Sequence, residues 1–203
     1  MIIKDLGLID YAVACRAMQD FTLSRQTETE DELWLCEHPP VFSQGANGKE
    51  EHLLKTGSIP VVRSDRGGQV TYHGPGQLIA YTLIDLKRSD LGVKKMVARL
   101  EQTVISLLAV QGLLAYSDPE APGVYVEGSK IASLGLRVKH GSCYHGISLN
   151  VDMDLSPFLS INPCGYEGMK MIDLRGLGCN LPMAEVKKKF VNELIAKCNF
   201  KVF

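Results

Sequence analysis

No disulfide framework, leader segment or membrane span is legible in this chain. Its six cysteines, at positions 15, 36, 143, 164, 179 and 198, follow no regular spacing. Met1-Ile2-Ile3-Lys4-Asp5 runs directly into a fold-like pattern, without the charged and then apolar opening of a secretory signal. Reduced thiols and a cytoplasmic location are therefore expected. No apolar run approaches the roughly 20 residues that a spanning helix needs, so no membrane partner is expected. The net charge of −1 supplies no global field to attract nucleic acid. Phosphate loops of the GxxxxGK[ST] type, GxGxxG turns, GxSxG elbows, CxxC pairs and HExxH helices are all missing. The five histidines (38, 52, 73, 140 and 145) lack metal-ligand spacing, and Cys143-Tyr144-His145 offers too few donors for a zinc site. No metal is expected.

What is present suits a single domain over residues 1–203. Hydrophobic residues make up 45% and charged residues 22%, and a chain of this length buries about 70% of its unfolded surface without staples. Asp10 is positioned to cap a helix from Tyr11 to about Arg25, with Val13, Ala17, Met18 and Phe21 on its inner side. Residues 32–37 read as a strand stopped by Pro39-Pro40, followed by a loop over roughly 43–58 and a strand at 59–64. After a strand at 78–86, Val93, Met96, Val97, Leu100, Val104, Leu107 and Leu108 follow helical spacing, with Ser89 or Asp90 as cap and Gly112 as stop. Residues 123–126 and 130–138 read as a hairpin, and a further strand runs from Cys143 to Val151. A last amphipathic helix starts near Pro182. The alternation is too irregular for a doubly wound parallel sheet. An α+β fold is expected, a mixed sheet flanked by helices.

Arg66 to Gln77, RGGQVTYHGPGQ, stands out because four of its twelve residues are glycine between two apolar runs. On composition alone it is either a flexible turn or a loop that lets a ligand lie against bare backbone. In the second reading Gln69-Val70-Thr71-Tyr72-His73 forms a short strand with alternate side chains along a groove, Val70 or Tyr72 serving as wall. Cys164 sits in Ile161-Asn162-Pro163-Cys164-Gly165-Tyr166, a turn that presents a thiol. The other helix and strand cysteines lie in apolar patterns, the usual setting of a buried thiol. Lys130 directly follows a turn, where an exposed strand-edge charge is the ordinary reading. Spacing alone does not join Lys130 to Cys164.

The run Arg66–Gln77, followed by Tyr81, closely resembles the signature of lipoyl(octanoyl) transferases. Further matches follow in order: Ala121-Pro122-Gly123-Val124-Tyr125-Val126, Lys130-Ile131-Ala132-Ser133-Leu134-Gly135-Leu136, His145-Gly146, Leu149-Asn150, Asp154–Phe158 and Asn162-Pro163-Cys164-Gly165. The resemblance covers roughly residues 5–170, with Gly45 through His52 also family-like. It implies an α/β sandwich like the catalytic domain of biotin and lipoate ligases. It also implies transfer of an octanoyl group from acyl carrier protein to a lysine on lipoyl domains of 2-oxoacid dehydrogenases and on the glycine cleavage H protein. By the same resemblance the nucleophile falls on Cys164 and its partner on Lys130. The acyl-binding segments fall on Arg66, Gly67, Gly68, Gln69, Val70, Thr71, Tyr72 and His73, on Ser133, Leu134 and Gly135, and on Gly146, Ile147 and Ser148. Neither ATP nor another cofactor is implied, since the acyl group arrives on phosphopantetheine, and a monomer is assumed.

Such a relay needs a thiolate, and a free thiol is only a few per cent ionised at neutral pH. An adjacent lysine helps either as an ammonium that stabilises the thiolate or as a neutral amine that removes the proton. The favoured expectation is the second, with burial against neighbours such as Ile131 lowering the Lys130 pKa until it takes the proton of Cys164 and delivers it to the departing phosphopantetheine thiol. Amides near Leu134-Gly135 or Gly165 are candidate oxyanion donors. His73 either orients the acyl carbonyl or holds the loop. Lys87, Arg88, Arg137 and Lys139 are candidates for a basic face toward an acidic carrier protein. The rival readings are an ATP-using lipoate or biotin ligase, a non-catalytic module for acylated carriers, and a cysteine hydrolase.

Overall fold

Two sheets organise the chain, a seven-stranded one that carries the core and a three-stranded one with a smaller apolar cluster of its own. The computed structural model describes residues 1–198 and Phe200; positions 199 and 201–203, the tail of the expected 1–203 domain, lie outside the described residues. In chain order the elements are β1 (Ile2–Leu8), α1 (Tyr11–Ser24), β2 (Glu32–Glu37), β3 (Val41–Gln44), β4 (Val61–Arg63), β5 (Val70–His73) and β6 (Gln77–Asp85). They continue with α2 (Val93–Ala109), β7 (Tyr116–Ser117), β8 (Gly123–Val126), β9 (Ser129–Lys139), β10 (Ser142–Asn150) and α3 (Met183–Cys198). The large sheet has the order β1-β2-β6-β10-β9-β8-β7 and the small one β4-β3-β5. The β1–β2 and β3–β4 pairs are parallel and the rest antiparallel, so the sheets are mixed as expected.

β6 shows why both faces of the large sheet are covered. Its side chains alternate by the two-residue period of a strand. Leu78, Ala80 and Ile84 join the core beneath α2 and α3, with Met96, Leu100, Val104, Phe190 and Leu194. Ile79, Tyr81 and Leu83 join the opposite core beneath α1, with Ala14, Met18 and Trp34. A strand buried on both faces reads as an unbroken apolar run, which is what residues 78–84 offer.

Several elements depart from the sequence reading. Asp10 caps α1 through the Val13 amide at 3.0 Å, but the buried face is Tyr11, Ala14, Met18 and Thr22. Val13 is 57% exposed, so the apolar stripe was set one residue out of phase. α2 begins at Gly92 with no side-chain cap, rather than at Ser89 or Asp90. β3 falls where a loop was expected; its four buried residues pair with β5. The short edge strand β7 carries too few residues to show a period.

Candidate active site

The loop 66–69 and β5 meet the large sheet at β9 and β10, and between them lies a cavity of about 520 Å³. Arg66, Gly67, Gly68, Gln69, Thr71 and His73 line it from one side. Ser133, Leu134, Gly135, Gly146, Ile147 and Ser148 line it from the other, with Lys130 and Cys164 in the same wall. Three stretches far apart in sequence are thus brought to one place. Val70 and Tyr72 are not part of the wall. Strand alternation turns them away, into a separate cluster with Phe42, Phe158 and Ile161. The expectation that they form the groove is corrected on that ground.

The glycines of the opening motif do more for backbone packing than for open space. A β-carbon on Gly135 would stand 2.5 Å from the Gly67 carbonyl, and the Gly67 amide donates to the Leu136 carbonyl at 3.0 Å. The loop is therefore laid directly on β9, an approach that a side chain at Gly135 would block and one at Gly67, 3.1 Å from the Leu136 carbonyl, would crowd. Arg66 then fastens it. Its buried guanidinium donates to the Ser43 Oγ and carbonyl and to the Gly67 and Gln69 carbonyls, at 2.5–3.1 Å.

His73 belongs to the same scaffold. Gln77 Nε2 donates to Asn150 Oδ1 at 2.9 Å, which leaves Gln77 Oε1 as acceptor for His73 Nδ1–H at 2.7 Å. His73 Nε2 then accepts from the Ser43 hydroxyl at 3.0 Å. Burial and the neighbouring His38 hold its pKa well below the ordinary histidine value. With both ring nitrogens committed, His73 holds the loop and has no donor left for an acyl carbonyl. His145, which had no assigned role, also lines the cavity. Its Nε2–H donates to Asp65 Oδ1 at 2.8 Å, while Nδ1 is buried with no partner among the described residues. The Tyr144 hydroxyl donates to the other Asp65 oxygen.

Cys164 occupies a 3₁₀ turn, Pro163–Gly165, at φ 57° and ψ 15°. A non-glycine residue in the left-handed region costs energy, and such strain gathers where a side chain must point a particular way. The turn is held by Gly165 N–H to the Asn162 carbonyl at 2.9 Å and Tyr166 N–H to the Pro163 carbonyl at 3.0 Å. The Asn162 amide in turn donates to the His52 carbonyl at 2.9 Å. Because its amide is committed, Gly165 is removed from the candidate oxyanion donors.

Lys130 is 0% exposed, not the edge charge that its place after a turn suggested. The register between β8 and β9 slips between Val124 and Tyr125. On its outer side Lys130 pairs with the chain around Met171, donating its amide to the Lys170 carbonyl at 2.8 Å. Its side chain runs inward to put Nζ 3.4 Å from Cys164 Sγ and 5.2 Å from the Tyr125 ring centroid. Burial pushes the Lys130 pKa down, but the Cys164 and Tyr125 groups outweigh it, and the net displacement is upward. The expected lowering is therefore corrected: Lys130 rests as an ammonium 3.4 Å from the Cys164 sulfur.

Other residues of the wall were not assigned from sequence. Val93 and Val97 read as core positions of α2, yet Val93 is 43% exposed and both line the cavity. Tyr11 and Ile79 also line it and gave no sequence signal, and Asn47, inside the family-like stretch 45–52, lines it without having been assigned a role. Tyr81 and the Ala121-Pro122 pair lay inside the family-like motifs without a role. Of the candidate basic face, Arg88 is committed to Asp31 at 2.7 Å and to the Thr27 and Thr29 carbonyls. Arg137, Lys139 and Lys87 remain exposed.

The family model "Lipoyl protein ligase A/B catalytic domain" matches residues 10–195. The chain is 59% identical to an octanoyltransferase of Chromobacterium violaceum, over 95% of this chain and 93% of that one. It is 55% identical to an octanoyltransferase of Pseudomonas entomophila, over 98% and 92%. A solved structure of a putative lipoate protein ligase from T. acidophilum superposes with a TM-score of 0.82 at 15% identity, over 100% of this chain and 87% of that one. At that identity the likeness speaks for the fold alone. The sheet order, the cavity between loop 66–69 and β9–β10, and near full-length identity to two octanoyltransferases agree, and the chain belongs to the octanoyltransferase family of lipoyl protein ligase A/B catalytic domains.

Proposed function

We propose that this enzyme takes the octanoyl group from the phosphopantetheine thioester of octanoyl-acyl carrier protein. It passes that group, through a thioester on Cys164, to a lysine amine on lipoyl domains of 2-oxoacid dehydrogenases and on the glycine cleavage H protein. The observation that carries this reading is the 3.4 Å approach of a fully buried lysine ammonium to a thiol in the wall of a cavity lined by glycines and aliphatic side chains.

In the first half the Cys164 thiolate attacks the carbonyl carbon of the donor thioester. The donor carbon–sulfur bond breaks, and the departing phosphopantetheine sulfur takes the proton of the Lys130 ammonium. Lys130 is then neutral beside an uncharged thioester. In the second half the acceptor lysine amine attacks that thioester, its nitrogen gives a proton to Lys130, and the carbon–sulfur bond to Cys164 breaks. The thiolate and ammonium are restored. The first exchange, thioester for thioester, is close to balanced in energy, and the second is driven by amide formation. Lys130 is acid in one half and base in the other because its only counter-charge at the sulfur appears and disappears with the acyl group.

The cycle uses neither ATP nor metal. Intact-protein mass spectrometry after mixing with octanoyl carrier protein, without ATP, tests it. A hydroxylamine-labile octanoyl adduct on the wild type, absent in Cys164→Ala and discharged by a lipoyl domain, is the expected result. No adduct, with transfer only when ATP is supplied, refutes it in favour of a ligase.

A further inference from the structure

Behind Lys130 lies a carboxylate that the relay above does not use. Glu101 stands in α2, yet it is only 8% exposed and reaches across to the β8–β9 hairpin, where Oε1 accepts the Gly123 amide at 2.9 Å. Gly123 is the residue against which the Lys130 side chain lies. A β-carbon there would stand 2.3 Å from Lys130 Cε and 3.1 Å from Nζ, and its φ of +148° is a glycine conformation. Thus α2, Gly123 and Lys130 form one stack, with Glu101 at its inner end and Cys164 at its outer end.

The charged and titratable groups that bear on Lys130 come from three elements. They are Cys164 from the 163–165 turn, Tyr125 from β8 and Glu101 from α2. Tyr125 is itself tied to the Ala121 carbonyl through its hydroxyl at 2.5 Å and feels Asp118. Residues 170–172 meet Lys130 through backbone groups, and the buried face of α3 is apolar, with Val186, Phe190 and Leu194. When Cys164 carries an acyl group its negative charge is gone. Glu101 is then the carboxylate still bearing on a fully buried lysine.

We propose that Glu101 is a positioning residue for the acyl relay: it holds Gly123 against the Lys130 chain and supplies the buried negative charge that fixes the pH at which Lys130 recovers its proton in the thioester state. The proposal rests on the Cys164–Lys130 cycle argued above. Its sign follows from charge alone. A nearby anion favours the ammonium, so removing it lets neutral Lys130, the base of the second half, prevail from a lower pH. Burial raises the Glu101 pKa, while the Gly123 amide and Lys130 pull it back.

Glu101→Gln separates charge from clamp, because the amide oxygen of glutamine still accepts the Gly123 N–H. The octanoyl thioester on Cys164 is formed from octanoyl carrier protein, and its discharge by a lipoyl domain is followed as a function of pH. The acceptor lysine contributes equally in every variant, so differences belong to the enzyme. The midpoint in Glu101→Gln is expected about one pH unit below that of the wild type. Glu101→Asp keeps the charge but is too short to hold the Gly123 amide as glutamate does. Its midpoint is expected to match the wild type while its rate falls. A Glu101→Gln profile superimposed on the wild type, or a Glu101→Asp midpoint displaced downward like that expected for Glu101→Gln, overturns the proposal and leaves Glu101 as a strand clamp only. Absence of any thioester on the wild type overturns the relay instead, so the two failures are distinct.

Discussion

Replacing Lys130 by methionine tests whether the short approach to Cys164 is an ion pair or only a contact. The two side chains have similar volume, so the substitution removes the charge and leaves the packing around Tyr125 and Gly123 nearly filled. At 3.4 Å the attraction between unit charges is about 1 kcal/mol in water and about 5 kcal/mol at an effective dielectric of 20. Desolvation of the buried ammonium opposes this, and the upward displacement of Lys130 shows which side prevails. Even the aqueous limit corresponds to nearly one pH unit. The rate of Cys164 alkylation by iodoacetamide at neutral pH should therefore fall by about tenfold in Lys130→Met. Peptide mapping isolates Cys164 from Cys36 and Cys143, whose burial pushes their thiols to about 12 and about 11. Stability should fall as well, because removing one partner of a buried pair leaves the other without its counter-charge, so calorimetry should find a lower Tm. An unchanged alkylation rate together with an unchanged Tm would refute the ion pair as the source of the reactive thiol.

Cys164→Ala should alter stability against pH as well as activity. In the wild type the raised Lys130 pKa adds stability that is fully present below the unfolded lysine value of about 10.4 and is lost as pH rises through the folded value. Without the sulfur, burial is opposed by Tyr125 and Glu101 alone, so the folded pKa falls and the alkaline loss should be smaller and complete at a lower pH; denaturant melts at neutral and alkaline pH will show it. Gly135→Ala sets a methyl 2.5 Å from the Gly67 carbonyl, which should cost about 1–3 kcal/mol and lift loop 66–69 off β9. Donor concentration needed for half-maximal thioester formation should rise, while an unchanged value would deny the loop a binding role. Charge reversal at Arg137 and Lys139, exposed at the end of β9, should raise the KM for carrier protein in a salt-dependent way with kcat preserved; a fall in kcat at constant KM would remove that face from docking.

Much of this was written locally in the chain, and the exceptions have a common cause. Helix α1, strands β6, β8, β9 and β10 and the last helix follow from periodicity because each buries a full side-chain period against a neighbour. β3 did not, since its four residues are held by pairing with β5 from about thirty positions away. The same holds within the site. Cys164 was marked by its Asn-Pro-Cys-Gly turn, a local signal. Lys130 read as an exposed edge residue because its burial comes from the distant 170–172 segment and from the empty place at Gly123. Only the family resemblance joined the two. The direction of the Lys130 displacement was misjudged for that reason too: burial was inferred from Ile131, but the opposing charge lies in another part of the chain.

That misjudgement bears on how one lysine serves two opposite steps. A lysine lowered by burial alone would deprotonate the thiol once and have no proton to give the departing donor sulfur. A lysine raised under all conditions would never take a proton from the acceptor amine. The geometry resolves this by keeping burial constant and letting the counter-charge vary. Lys130 is fully buried, so in the acylated state, with the Cys164 charge gone, burial is opposed by Tyr125 and Glu101 alone and the pull toward the neutral amine grows. The acyl group thereby switches its own base on, and its departure switches the acid back. For such a switch the fixed charge behind the lysine must be strong enough to moderate the swing but too weak to cancel it. That is the position of a carboxylate held one residue away through the Gly123 amide rather than in direct contact with Nζ.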